Sequence, residues 1–154
     1  MDLQLKYILQ SCRNIELSAQ KIYQYYAKCF ASTREIKLLW MKAAREEREH
    51  ADVLDFAIRC REESFIHQQN NANRFAEADL FMKKFREDIL AKKTSLKRAL
   101  HTTVELEPRL VKFRLDSVVD FSCPHQKKVY SSLIRGDGAH VKGFQDAYSR
   151  LLQA

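Results

Sequence analysis

The sequence predicts an all-α protein, and three observations predict it. Three glycines and two prolines in 154 residues leave too little turn chemistry for a many-stranded sheet. The good helix formers Leu, Ala, Lys, Arg, Glu and Gln are abundant. Apolar residues recur every three or four positions over long stretches. With 45% hydrophobic and 31% charged residues, the chain has the size and balance of one domain, 1–154, with a core of its own.

The elements follow in order. Leu5, Ile8, Leu9, Cys12, Ile15, Ala19, Ile22, Tyr23, Tyr26 and Phe30 set a helix from about residue 3 to about 31. Ser32 or Thr33 can cap a second helix, because a side-chain oxygen there accepts from a first-turn amide; Ile36 through Ile58 carries it to about residue 62. The polar stretch SFIHQQNNANR is a connection, followed by a shorter amphipathic helix through Phe75, Leu80, Phe81, Phe85 and Ile89. Thr94 or Ser95 opens a third long helix with Leu96, Leu100, Thr103, Leu110, Val118 and Phe121 on one face. Pro108 removes a backbone hydrogen bond from it and bends it at its middle. Pro124 marks the break to a fourth helix, 125–152, with Val129, Leu133, Phe144, Ala147 and Leu151 inward and Gly136, Gly138 and Gly143 weakening it. The expected architecture is a four-helix bundle whose 2–3 connection holds the short helix and is long enough to cross the bundle end to end.

Composition narrows the function classes. Twenty-seven basic against 20 acidic residues give +7, which raises a polyanion as a partner. The excess is local: Lys83, Lys84, Arg86, Lys92, Lys93, Lys97 and Arg98 face only Glu87 and Asp88. No aromatic interleaving accompanies them, so this segment reads as a solvated helical face, with nucleic-acid binding set behind the other readings. No apolar run is longer than Leu38–Met41, which leaves no membrane span, and the N-terminus has no basic-then-apolar leader pattern. Cys12, Cys29, Cys60 and Cys123 form no CxxC pair and read as buried or half-buried thiols of a reducing compartment, so a cytoplasmic location is expected.

The informative residues are polar ones on the apolar stripes. Glu16 lies on that of the first helix, and Glu47 and His50, three apart and so on one side, lie on that of the second. On the third, Glu107 aligns with Leu100, Thr103 and Leu110 and faces inward, whereas Glu105 aligns with Arg98 and Lys112 and faces water. Asp137 and His140, again three apart, lie on the fourth. With 20 acids in 154 residues, a histidine has an acid three places before it about once in eight by chance. Two of the five do, both on stripes, whereas His67, His101 and His125 read as ordinary polar residues. The spacing also repeats, with 31 residues from Glu16 to Glu47 and 30 from Glu107 to Asp137.

Four carboxylates converging in a helical core repel one another and are costly to bury unpaired. Two divalent cations balance four carboxylates and two neutral imidazoles, and mixed oxygen and imidazole donors suit iron or manganese, with zinc as a further candidate. A Glu from each of two helices and Glu-x-x-His from the other two is the ligand pattern of ferritin-like di-iron carboxylate proteins.

In IELSAQKIYQYYA, AAREEREHADVL, TVELEPRLVKF and LIRGDGAHVKGF the sequence resembles the rubrerythrin branch of the ferritin-like superfamily, over nearly the whole chain. The resemblance implies a left-handed bundle with a bridged di-iron centre, two non-haem irons per chain, that reduces peroxide or dioxygen as a peroxidase or oxidase. Glu16, Glu47, His50, Glu107, Asp137 and His140 would be the ligands. Tyr23, two turns after Glu16, matches the family's tyrosine beside the ligands, where it would hydrogen-bond a carboxylate; the other reading is a core aromatic. A homodimer is also implied.

The chain departs from the family at several places. Asp137 stands for a Glu and is flanked by Gly136 and Gly138, Arg114 stands where the repeat calls for a tyrosine, and Val104 and Leu110 supply no further carboxylate. No pair of CxxC motifs is present, so electrons would come from a separate donor. The alternative expectation is a bundle with one metal or none and a structural or interaction role.

Overall fold

Two long helices form the scaffold of the computed structural model, which describes residues 1–60, 65–67, 72–133 and 139–154, with the backbone alone for residues 60, 65–67, 133 and 139. Helix α1 (Leu3–Cys29) and helix α2 (Arg34–Cys60) have 27 residues each and pack antiparallel along their length. The Asp2 carboxylate caps α1 by accepting from the Gln4 N–H at 3.2 Å. The Thr33 carbonyl accepts the first helical bond of α2, from the Lys37 N–H at 2.9 Å, so the boundary falls where the sequence set it.

Helix α3 (Ala72–Leu90) packs against α1. Helix α4 (Leu96–Leu110) begins at Ser95, whose hydroxyl accepts from the Arg98 N–H at 3.2 Å as a capping residue should. A 3-10 turn, Val111–Phe113, then leads to the short helix α5 (Leu115–Val118). Strand β1 (Phe65–His67) pairs antiparallel with strand β2 (Val119–Phe121), with Ile66 opposite Asp120. Helix α6 (Pro124–Leu133) and helix α7 (Ala139–Gln153) complete the chain, α7 lying against α4 and α2. The all-α class stands, with one short strand pair added to it.

Three expectations change. The third helix does not bend at Pro108 and continue to Phe121. It ends two residues later, because the proline cannot donate to the preceding turn, and the chain tightens to 3-10 and then extends at Arg114 (φ −73°, ψ 153°). The fourth helix is two helices, α6 and α7, separated by residues outside those described; in α6 it is Tyr130 that is buried, and Val129 is exposed. Cys29, expected to be at least half-buried, is exposed, while Cys12 is buried and Cys123 intermediate.

The core is divided. One apolar cluster holds Ile15, Ile22, Tyr26, Trp40, Leu100 and Phe144; the other holds Leu5, Ile8, Leu9, Leu54, Phe75 and Val118. On α1 the second cluster draws on residues 5–12 and the first on 15–27. On α2 the order reverses, 36–44 and then 53–57, as antiparallel packing requires. Between them, at the waist of the molecule, lie the buried polar residues Glu16, Glu46, Glu47, His50, Glu107 and His140. Burying six such groups between two apolar masses is tolerable only if they neutralise one another or a ligand.

Candidate metal centre

Each side chain reaches the waist for a local reason. Glu16 stands mid-way along α1 on its apolar stripe and is fully buried. Glu47 and His50 lie one turn apart on the inward face of α2, and His50 Nδ1 is 3.1 Å from Glu47 Oε2 and 3.8 Å from Glu16 Oε2. Glu107 arrives from the last turn of α4, where Tyr23 Oη donates to its Oε1 at 2.7 Å. His140 arrives from the first turn of α7, with Nε2 3.1 Å from Glu107 Oε2 and Nδ1 in contact with Glu46 Oε2. Gly143, one turn further on, packs on Leu39 of α2: a Cβ there would lie 2.7 Å from Leu39 Cδ2 and turn that side-chain tip aside.

These contacts make two adjoining sets of ligand atoms. Glu16, Glu47 and His50 offer atoms within 4.8 Å of one another, and so do Glu47, Glu107 and His140. Glu47 belongs to both. Within the described residues, both oxygens of Glu16, Oε1 of Glu47, Oε2 of Glu107 and both ring nitrogens of His140 are buried without an aligned hydrogen bond. Donors that approach one another closely yet without hydrogen-bond alignment are arranged as if around a third party, and buried Glu/His clusters of this kind could hold metal ions.

The electrostatics agree. Burial pushes the Glu47 carboxyl up to about 8, helped by the neighbouring Glu16 and opposed by His50. Burial alone would lower the His50 imidazolium, but the hydrogen bonds and charges of Glu16 and Glu47 outweigh it and raise the group to about 10. Glu46 is raised by burial, against the pull of His140 and Lys42. His140 rises because Glu107 and Glu46 overcome its desolvation. Protons therefore stay on the cluster where cations would otherwise balance it. Tyr23 is pushed well up by burial and by Glu107, so it stays a phenol that donates. Burial, with Glu16 nearby, likewise raises Cys12, which stays a thiol one turn before Glu16.

Of the residues singled out from sequence, Glu16, Tyr23, Glu47, His50, Glu107 and His140 come together. Asp137 lies outside the described residues. Glu105 is exposed, as are His101 and His125. Arg114 no longer follows Glu107 by two helical turns, because α4 has ended before it. Glu46 is the residue that sequence reasoning missed. It is three after Ala43 and four before His50, so the same stripe passes through it as readily as through Glu47. Taking one inward residue per turn hid it.

Comparison with protein-family models, curated proteins and solved structures finds no match to this chain.

Proposed function

We propose that this chain is a rubrerythrin-like protein of the ferritin-like kind, a non-haem di-iron oxidoreductase that reduces hydrogen peroxide or dioxygen with electrons from a separate donor. One observation carries the reading: Glu47 is common to two adjoining Glu/His sets, which is what a carboxylate bridging two cations requires. The donor set fits iron. It offers oxygen and imidazole nitrogen with no thiolate, and its four buried carboxylates, Glu16, Glu46, Glu47 and Glu107, match the charge of two divalent ions.

In this reading Glu16 and His50 would hold one ion and Glu107 and His140 the other, with Glu47 shared between the two sets. Bound iron supplies reversible one-electron steps and coordination positions open to a small oxidant. The remaining roles belong to the chain. Glu46 against Nδ1 of His140 keeps that proton on the outer nitrogen and turns Nε2 toward the cluster, an arrangement that sets ring orientation and basicity. Tyr23 holds Glu107 in place and keeps a proton at its Oη beside the carboxylate. The two apolar clusters above and below exclude bulk water.

A second reading has one metal in the Glu16–Glu47–His50 set and a structural role; the placement of Glu107 and His140 at helix ends favours it. Elemental analysis of protein from iron-supplemented medium separates the two. About two irons per chain, with a near-ultraviolet change on adding peroxide to the reduced protein, is the expected result. About one iron and no change selects the second reading, and no stoichiometric metal overturns both.

A further inference from the structure

We infer that the groove on the outer flank of the α1–α2 pair is a docking site for an acidic α-helix of a partner protein. The groove encloses about 740 Å³. Its walls run from Gln20 on α1 to Ala31 just past the end of that helix, and from Lys37 to Arg48 on α2, with lining residues recurring about once per turn on both sides. That makes a straight channel about 16 Å long, three helical turns, between two antiparallel helices. A third helix is the element whose ridges fit such a channel.

Charge sets the chemistry of the occupant. Lys28, Lys37, Arg45 and Arg48 line the groove and no carboxylate does. Arg45 and Arg48 have partners along their own helix, Glu49 at 3.8 Å and Asp52 at 3.0 Å, both outside the lining. Among the described residues neither Lys28 nor Lys37 has a carboxylate within ion-pair distance. The floor is small and apolar: Ala27 and Ala44 lie at its base, each 5% exposed, so a docked backbone can come close. Met41, 51% exposed, offers an adaptable apolar contact on the wall. A second copy of the same face is a poor occupant, because a two-fold axis would set these four cations against themselves. No aromatic side chain lines the groove for base stacking, which argues against single-stranded nucleic acid.

The place of the groove matters as much as its charge. Gln20 is one turn after Glu16, Ala44 is one turn before Glu47, and Arg48 follows Glu47 directly. The Gln20–Arg48 end of the channel is therefore the end beside the carboxylate cluster, and the rest of the channel leads away from it. Under the function proposed above, the protein that docks here is the electron donor. That clause rests on the di-iron reading, whereas the docking does not.

The test uses the full chain and a labelled alanine-based helical peptide with glutamates along one face, followed by fluorescence anisotropy. Binding that weakens steeply with salt is expected, and a Lys-for-Glu peptide should not bind. The double variant Lys28→Glu and Arg45→Glu, both at exposed positions, should weaken binding about tenfold or more, with Lys83→Glu and Lys97→Glu as the unaffected control. Equal binding by the groove variant and the parent overturns the inference. So does equally tight binding of unstructured polyglutamate, an oligonucleotide or anionic vesicles. Metal content is measured on the same samples: iron-loaded protein that ignores the peptide sinks the docking alone, and metal-free protein that binds it sinks the di-iron reading alone.

Discussion

The set Glu16–Glu47–His50 stands on the middles of two 27-residue helices, whereas Glu107 and His140 reach Glu47 from the ends of two 15-residue ones. A mid-helix residue is held by hydrogen-bonded turns on both sides. A residue in a terminal turn is held on one side and sees the end of the helix dipole as well. Glu107 sits at the negative end of α4, where a carboxylate is disfavoured and a nearby cation is welcome. His140 sits at the positive end of α7, where the carboxylates of Glu46 and Glu107 are favoured neighbours. The first set is thus the fixed half of the cluster and the second the half that depends on what it binds.

The largest effect that can break this comparison is at the shared residue. Glu47→Gln should empty both halves, taking metal content from about two per chain to none by elemental analysis; retention of one ion would show that the halves are independent. Next come the two imidazoles. His50→Ala should remove the tighter ion and weaken the other, whereas His140→Ala should leave about one ion per chain, with exposed His125→Ala unchanged. Equal losses from both histidine variants would erase the asymmetry. Glu46→Gln is a finer probe: it should weaken only the second ion, by about 10–100-fold in competitive chelator titration, because His140 keeps its place but loses a charged partner.

The smallest effect is on the metal-free protein. Glu47 rises from 4.5 to about 8 in the folded chain, so its contribution to stability is full below 4.5 and lost as pH passes 8. His50 rises from 6.5 to about 10, and its contribution is full below 6.5 and lost through 10. Both slopes have the same sign. The Tm of metal-free protein should therefore fall between pH 6.5 and pH 10 by calorimetry. Metal affinity should rise over the same range, as each ion displaces those protons.

How much of this could be read from sequence follows the same division. The long helices declare themselves by uninterrupted periodicity, and so Glu16, Glu47 and His50 could be placed by counting turns. Glu107 could be separated from Glu105 in the same way, since both lie before Pro108 breaks the count. Beyond Pro108 the count fails. A sequence shows that a bond is missing there but not whether the chain bends or stops, so the 3-10 turn and β2 were invisible. Strand β1 was hidden too, because its partner is 54 positions away and pairing leaves no local period. Glu46 escaped because the periodicity allows it and Glu47 equally, and only the contact of His140 from α7 with Glu46 shows that both are interior. Asp137 lies outside the described residues.

The contact between Gly143 and Leu39 reaches further than its size suggests. His140 lies one turn before Gly143, so the thickness of whatever occupies position 143 gauges how far the imidazole stands from Glu46 and Glu107. An added methyl group need only turn the Leu39 tip aside, but a branched side chain would act as a wedge between the helices and pry the cluster open along one seam. The aperture of a charged centre thus depends on the bulk of a side chain that never touches it.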